Sequence, residues 1–370
     1  MASRLLTRLD EAIARERRPL EQLLLGAERV GLLARAGRLL DARRAMVPLR
    51  ARHATHPQPA SAAALGMADA LIDYHDDLDS QARVKLQSAY ASSVEAGRAS
   101  LQALCAAWLA HLDYVRNDLP GMVDHAALAL RLAAPEHHAA RSRASLVIAN
   151  SYHHAGHFDR ARPWYERARR HAHAEGDEAT LGAVLHNMAA LRVYLAREQA
   201  VKPAGRSLVD EAAQALAVTE SSAHFDAGIG THVLPVLQPI LRAQVLSIQG
   251  RHAQAMAHYE VYLRDALAQG LSRIECSLRA DMAWCRLKLS QPLLAREQAA
   301  AAEAAIEPGC DVDELAFSHG RLAQVWAGLG QDAAAARHAQ QAEQHWARHA
   351  EDQARIVLLL DAALPPALDR

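Results

Sequence analysis

Along residues 142–175, SRASLVIANSYHHAGHFDRARPWYERARRHAHAE, apolar and small residues recur every three or four positions, with one break at Ala155-Gly156. Such spacing puts the apolar side chains on one stripe of an α-helix. The stretch therefore predicts two helices joined by a tight turn, with Gly156 supplying the backbone freedom the turn needs. Ala161 is small enough to let the two helices approach, and Phe158 and Tyr165 fill the space between them.

The same order recurs through the chain. Turn residues fall at Gly37, Asp76, Asn117, Gly156, Ala196, Gly250, Ser290 and Gly330, in steps of 39, 41, 39, 40, 54, 40 and 40 residues. A sustained period near 40 marks stacked helix pairs. The small residue of the second helix returns as Ala42, Ala161, Ala255, Ala295 and Ala335, and the aromatic one as Tyr165 and Tyr259, with Met46 in the first pair. The long step holds about 14 residues beyond the local period. Stretches 200–207 and 221–232, both carrying Gly or Pro, accommodate them around a helix at 208–220, and Pro235 and Pro239 set the start of the next helix. Long loops are often functional, but insertions are also well tolerated. The division expected is an N-terminal capping helix over 1–18, a repeat array over 19–350 with an insertion within 200–232, and a C-terminal capping helix and tail over 351–370. The fold class is all-α, an α-α superhelix of about eight helix pairs with capping helices at its ends.

Tyr152, Gly156, Phe158, Ala161, Tyr165 and Ala168 stand at the offsets of a tetratricopeptide repeat, with His173 where the terminal proline would be. The chain resembles the tetratricopeptide-repeat superfamily, in a long-period bacterial form. The fourth and sixth pairs carry the signature fully, the first and eighth less so, and the others rest on the period. The resemblance implies a right-handed superhelix whose first helices line a concave groove. Carried over pair by pair, it gives the groove Trp108, His111 and Tyr114; Arg143, Asn150, His153 and His154; and His186, Asn187 and Tyr194. Further along, it gives Asp281, Trp284 and Lys288, then Arg321 and Gln324. Asn150 and Asn187 resemble the paired asparagines that hold an extended backbone, since one amide both donates and accepts. A helix-internal bond is the other role open to each Asn, and inter-repeat core is the other role open to Trp108. Leu146, Leu237 and Leu241 stand where a carboxylate clamp would need cations.

Composition narrows the function. Apolar residues make up 51% and charged residues 22% of the 370, with a net charge of −1, which is a globular composition without the basic footprint of a nucleic-acid binder. No apolar run reaches the length of a membrane span, and the N-terminal MASRLLTRLDEAIARERR reads as an amphipathic helix and not as a signal peptide. Cys105, Cys276, Cys285 and Cys310 lack metal-ligand spacing and read as reduced, buried thiols of a cytoplasmic protein. There is no P-loop, dinucleotide fingerprint, G-x-S-x-G, H-E-x-x-H or C-x-x-C. The 21 histidines include helical pairs (His345 with His349, His153 with His157), but nothing in sequence completes a ligand set. No enzyme activity, metal or cofactor is expected. The reading is a protein- or peptide-binding scaffold, without nucleic-acid or membrane partners and with its oligomeric state open. Its alternative is a sensory arm of a bacterial signalling system, acting in trans on a cyclase or transcriptional output module.

Overall fold

The regular structure of the described residues, 3–77, 81–202 and 237–364 of the computed structural model, is helical throughout, with no strand among them. The helices gather into two units. The first holds residues 3–77, 81–185 and 355–364, and the second holds 186–202 and 237–354.

In unit one, α1 (Arg4–Arg15) precedes four pairs: α2 (Pro19–Arg35) with α3 (Leu39–Thr55), α4 (Pro59–Asp77) with α5 (Gln81–Glu95), α6 (Ala99–Val115) with α7 (Leu119–Leu132), and α8 (His138–His154) with α9 (Phe158–Glu175). The two helices of each pair pack on each other, each second helix packs on the next pair, and the first helices of successive pairs also touch. The amphipathic α1 lays Leu5, Leu6 and Leu9 on the core that α2 begins. The beginning of α10 (Glu178–Val201) and the end of the final helix also belong to this unit.

In unit two, α11 (Leu237–Ile248) pairs with α12 (His252–Ala266) and α13 (Glu275–Lys288) with α14 (Pro292–Ala304), while α15 (Val312–Gly328) and α16 (Asp332–Ala363) flank the turn at Gly330. Tyr259 and Leu278 are fully buried at its centre. Pro239 lies in the first turn of α11, where its missing N–H costs nothing.

The turns explain the period. Gly37, Gly156, Gly250 and Gly330 have φ between 70° and 78°, and Asn117 and Ser290 adopt the same left-handed conformation at 58° and 59°. Ala42, Ala161, Ala255 and Ala295 are fully buried at the helix crossings, whereas Ala335 is half-buried. Close approach is visible at Gly26, where a Cβ would come within 2.8 Å of Leu49.

Four expectations about the fold are corrected. Asp76 is no turn residue, since α4 runs through it to Asp77. Ala196 is no turn residue: α10 runs through it to Val201, because nothing between 178 and 202 breaks a helix except one tolerated glycine. The segment at 351 does not begin a separate capping helix. α16 is one helix of 32 residues, since the sequence around 346–355 contains neither Gly nor Pro. Phe158, expected between the helices, is 39% exposed at the start of α9, while Tyr165 is buried as expected. The loops of the insertion beyond residue 202, the helix expected at 208–220, Pro235 and the C-terminal tail lie outside the described residues. No described helix is long and apolar enough to cross a membrane.

Candidate functional site

Where the first helices of unit one's pairs come together, their inner faces bound a cavity of about 310 Å³. Helices α2, α4, α6 and α8 supply its wall, α1 closes one side with Leu5 and Leu9, and the α9–α10 turn closes another with Glu175, Asp177 and Thr180. Most of the wall is Leu, Ala and Met. This follows from the packing rule of the pairs, because the residues that separate neighbouring first helices are small or flexible.

The rest of the wall includes seven charged side chains, of which most are already paired. Arg35 binds Asp177 and donates to Thr180 Oγ1 at 2.6 Å, joining residues more than a hundred positions apart. Burial alone would raise the Asp177 carboxyl, but Arg35 and the Thr180 N–H outweigh it and hold it below its usual value. Arg8 pairs with Glu175 at 2.5 Å and Arg98 with Glu21 at 2.7 Å. Glu28 is accessible from the cavity but crowded by protein. That crowding, with Glu175 nearby, pushes its carboxyl up to about 7.

Arg143 stands apart. Its guanidinium lies 4.0 Å from the centre of the Trp108 ring, it is 6% exposed, and it forms no ion pair or hydrogen bond with any described residue. Burial and the proximity of Arg35 bring it down to about 9, so it stays charged at neutral pH. Tyr74, His75 and His111 pack edge-on around Trp108, and Tyr74 and His111 share a 2.8 Å hydrogen bond. Burial holds His75 down at about 3 and His111 well below its usual value, so both rings are neutral there.

The predicted groove residues divide accordingly. Arg143 and Trp108 meet at the cavity, with His111 beside them. Trp108 is only 3% exposed, so it belongs to the core and presents its face to Arg143. Asn150 was expected to face a groove, but its placement is corrected. It is 2% exposed, with its Oδ1 accepting from the Tyr165 hydroxyl at 3.0 Å inside the α8–α9 pair. His153 is fully buried, 3.0 Å from that same hydroxyl. Tyr114 and His154 are half-buried on α6 and α8. His186, Asn187 and Tyr194 fall in unit two, where His186 contacts Gln238 at 3.4 Å and Tyr194 bonds His349 at 2.8 Å. The two asparagines thus lie in different units. Also in unit two, Asp281 and Arg321 form a buried ion pair at 3.1 Å.

Glu28 and Arg35 escaped the sequence list, although a signal for them existed. The repeat offsets that give Arg143 in the fourth pair give Leu24, Glu28, Gly31 and Arg35 in the first, and all four line the cavity. Burial pushes the Cys105, Cys276 and Cys285 thiols up to about 12, so none is a nucleophile at neutral pH. Among the described residues no group of three or more His, Cys, Asp or Glu side chains could hold a metal ion. The cavity therefore offers a ligand a largely apolar wall, a cation with no hydrogen bond or ion pair to a described residue, and the Glu28 carboxyl.

No protein-family model and no curated protein matches this chain.

Proposed function

We propose that this chain is a tetratricopeptide-like binding scaffold, which holds a segment of another protein against the inner face of its first helices and catalyses no reaction. The observation that carries this is the apolar cavity on α2, α4, α6 and α8 with the buried, unpaired Arg143 in its wall. Concave apolar sites with a few convergent polar groups are where ligands bind. The sequential pairing of helices, the left-handed turn residues and the buried alanines at the crossings support the family resemblance. This reading places the chain in the cytoplasm, where its four thiols stay reduced.

The test is capture of partners from the native cell by wild type and by Leu104→Trp, which fills the cavity from α6. A partner held by wild type and lost by a folded Leu104→Trp supports the reading. Equal capture by both places protein binding off this face.

One observation favours the second reading, a sensory arm acting in trans on a cyclase or transcriptional output module. The cavity is small for a ligand site, at the lower end of the usual 300–1,000 Å³. It is also bounded by the Arg35–Asp177 and Arg8–Glu175 contacts, which tie α2 and α1 of unit one to its α9–α10 turn. A small molecule filling it would stiffen that closure, giving a two-state element that a ligand can bias.

A further inference from the structure

We propose that the cavity of unit one is a receptor site for a small apolar monocarboxylic acid, whose carboxylate pairs with Arg143 and whose hydrocarbon body lies on the leucine and methionine wall. The inference rests on the second of those readings, in which a small molecule fills the cavity and biases its closure, and goes beyond it by naming the ligand.

The charge of the ligand follows from Arg143. A guanidinium carries five N–H donors and no acceptor, and this one uses none of them on the described residues while being 94% withdrawn from solvent. Stacking on Trp108 offsets part of the desolvation but makes no hydrogen bond. A buried charge without a partner is strongly unfavourable, and an anion in the cavity would relieve it. The cavity's own acids do not serve: Glu21, Glu175 and Asp177 are held by Arg98, Arg8 and Arg35, and Glu28, whose carboxyl burial raises to about 7, forms no ion pair with Arg143. Among anions, a carboxylate matches the planar guanidinium fork with two parallel bonds.

The body of the ligand follows from the wall. Leu24, Leu25, Met67, Leu101 and Leu104 face the cavity and offer no hydrogen bonds from their side chains. A second anionic group would be buried without a cation, because Arg35 is already neutralised. A peptide would bring amides that this wall leaves unpaired, each costing about 1–3 kcal/mol. A hydrocarbon chain brings no polar group of its own for this wall to leave unpaired.

The test uses the full chain and a neutral apolar fluorophore, N-phenyl-1-naphthylamine, displaced by octanoate, octanol or octylammonium at neutral pH. Octanoate should displace it about ten-fold or more below the concentration needed for octanol, the size expected of a charge-assisted bond. Arg143→Met keeps the volume and removes the charge, and should erase that advantage while leaving octanol unchanged. Arg143→Lys should retain part of it, and the wild-type comparison stands even if a variant fails to fold. Equal displacement by octanoate and octanol would overturn the proposal while leaving the cavity a binding site. Displacement by an apolar tripeptide acid as strong as by octanoate would also overturn it, in favour of a chain end. If the fluorophore does not bind, or binds a folded Leu104→Trp equally, the cavity is no site and the binding reading falls with the proposal.

Discussion

The hydroxyl of Tyr165 donates to the side-chain oxygen of Asn150 at 3.0 Å, and the Nδ1 of His153 lies 3.0 Å from that hydroxyl. The three groups form a buried polar chain between α8 and α9, the pair whose sequence carries the repeat signature most fully. Tyr165→Phe removes the central member and leaves two buried groups short of a partner, so it should cost about 1–3 kcal/mol. Asn150→Ala should cost a similar amount. Urea denaturation of both variants measures this, and unchanged stability in Asn150→Ala would return Asn150 to a binding role.

The turns make a paired prediction of opposite sign. Gly156 has φ 78° and a Cβ there would touch nothing, so Gly156→Ala costs backbone strain alone, about 1–2 kcal/mol. Ser290 already bears that strain at φ 59°. Ser290→Gly relieves it, less about 0.5–1 kcal/mol for the freedom glycine has in the unfolded chain. Thermal melting should therefore move down for the first variant and slightly up for the second.

Buried neutral histidines should make the fold sensitive to acid. His75 is held down at about 3 by burial, then by Arg143 and Arg35; His319 is held at about 4 by burial, then by His338. Below 6.5 the unfolded chain takes up protons that these folded rings refuse, so stability is full above that pH and falls as pH drops toward 4. His75→Leu also removes two buried ring nitrogens that have no hydrogen-bond partner. It should lower the slope of unfolding free energy against pH, measured by urea denaturation across that range, by up to about 1.4 kcal/mol per pH unit. An unchanged slope would mean that His75 is protonated in the fold.

In unit two, Asp281 accepts from Arg321 Nε at 3.1 Å and from the Tyr259 hydroxyl at 3.3 Å, with Arg197 Nε at 3.8 Å. Arg197 also reaches both oxygens of Glu314, at 2.9 and 3.2 Å. Asp281→Leu would leave the buried Arg321 guanidinium without a carboxylate and Arg197 with Glu314 alone, at a cost of about 3–5 kcal/mol. Amide hydrogen exchange should speed up first in α13 and α15, which carry the Asp281–Arg321 pair. Uniform protection in the variant would count against this account.

The sequence by itself determined the helix pairs. A turn needs a left-handed residue and a helix crossing needs a small one, and both are local demands that repeat with the period, so Gly37, Asn117, Gly156, Gly250, Ser290, Ala161 and Ala255 could be read off the chain. It also named Arg143 and Trp108. Only the tertiary structure decided what those residues do. Asn150 and Arg143 lie on the same helix at repeat offsets that imply the same groove, yet α9 turns one inward to Tyr165 and the cavity takes the other. Most of the wall of that cavity is leucine, alanine and methionine, which carry no polar signature along the chain and form a site only when the helices bring them together. The closure by Arg35 and Asp177 joins residues that no local pattern relates, because an ion pair depends on where two side chains meet in space and not on their spacing in sequence.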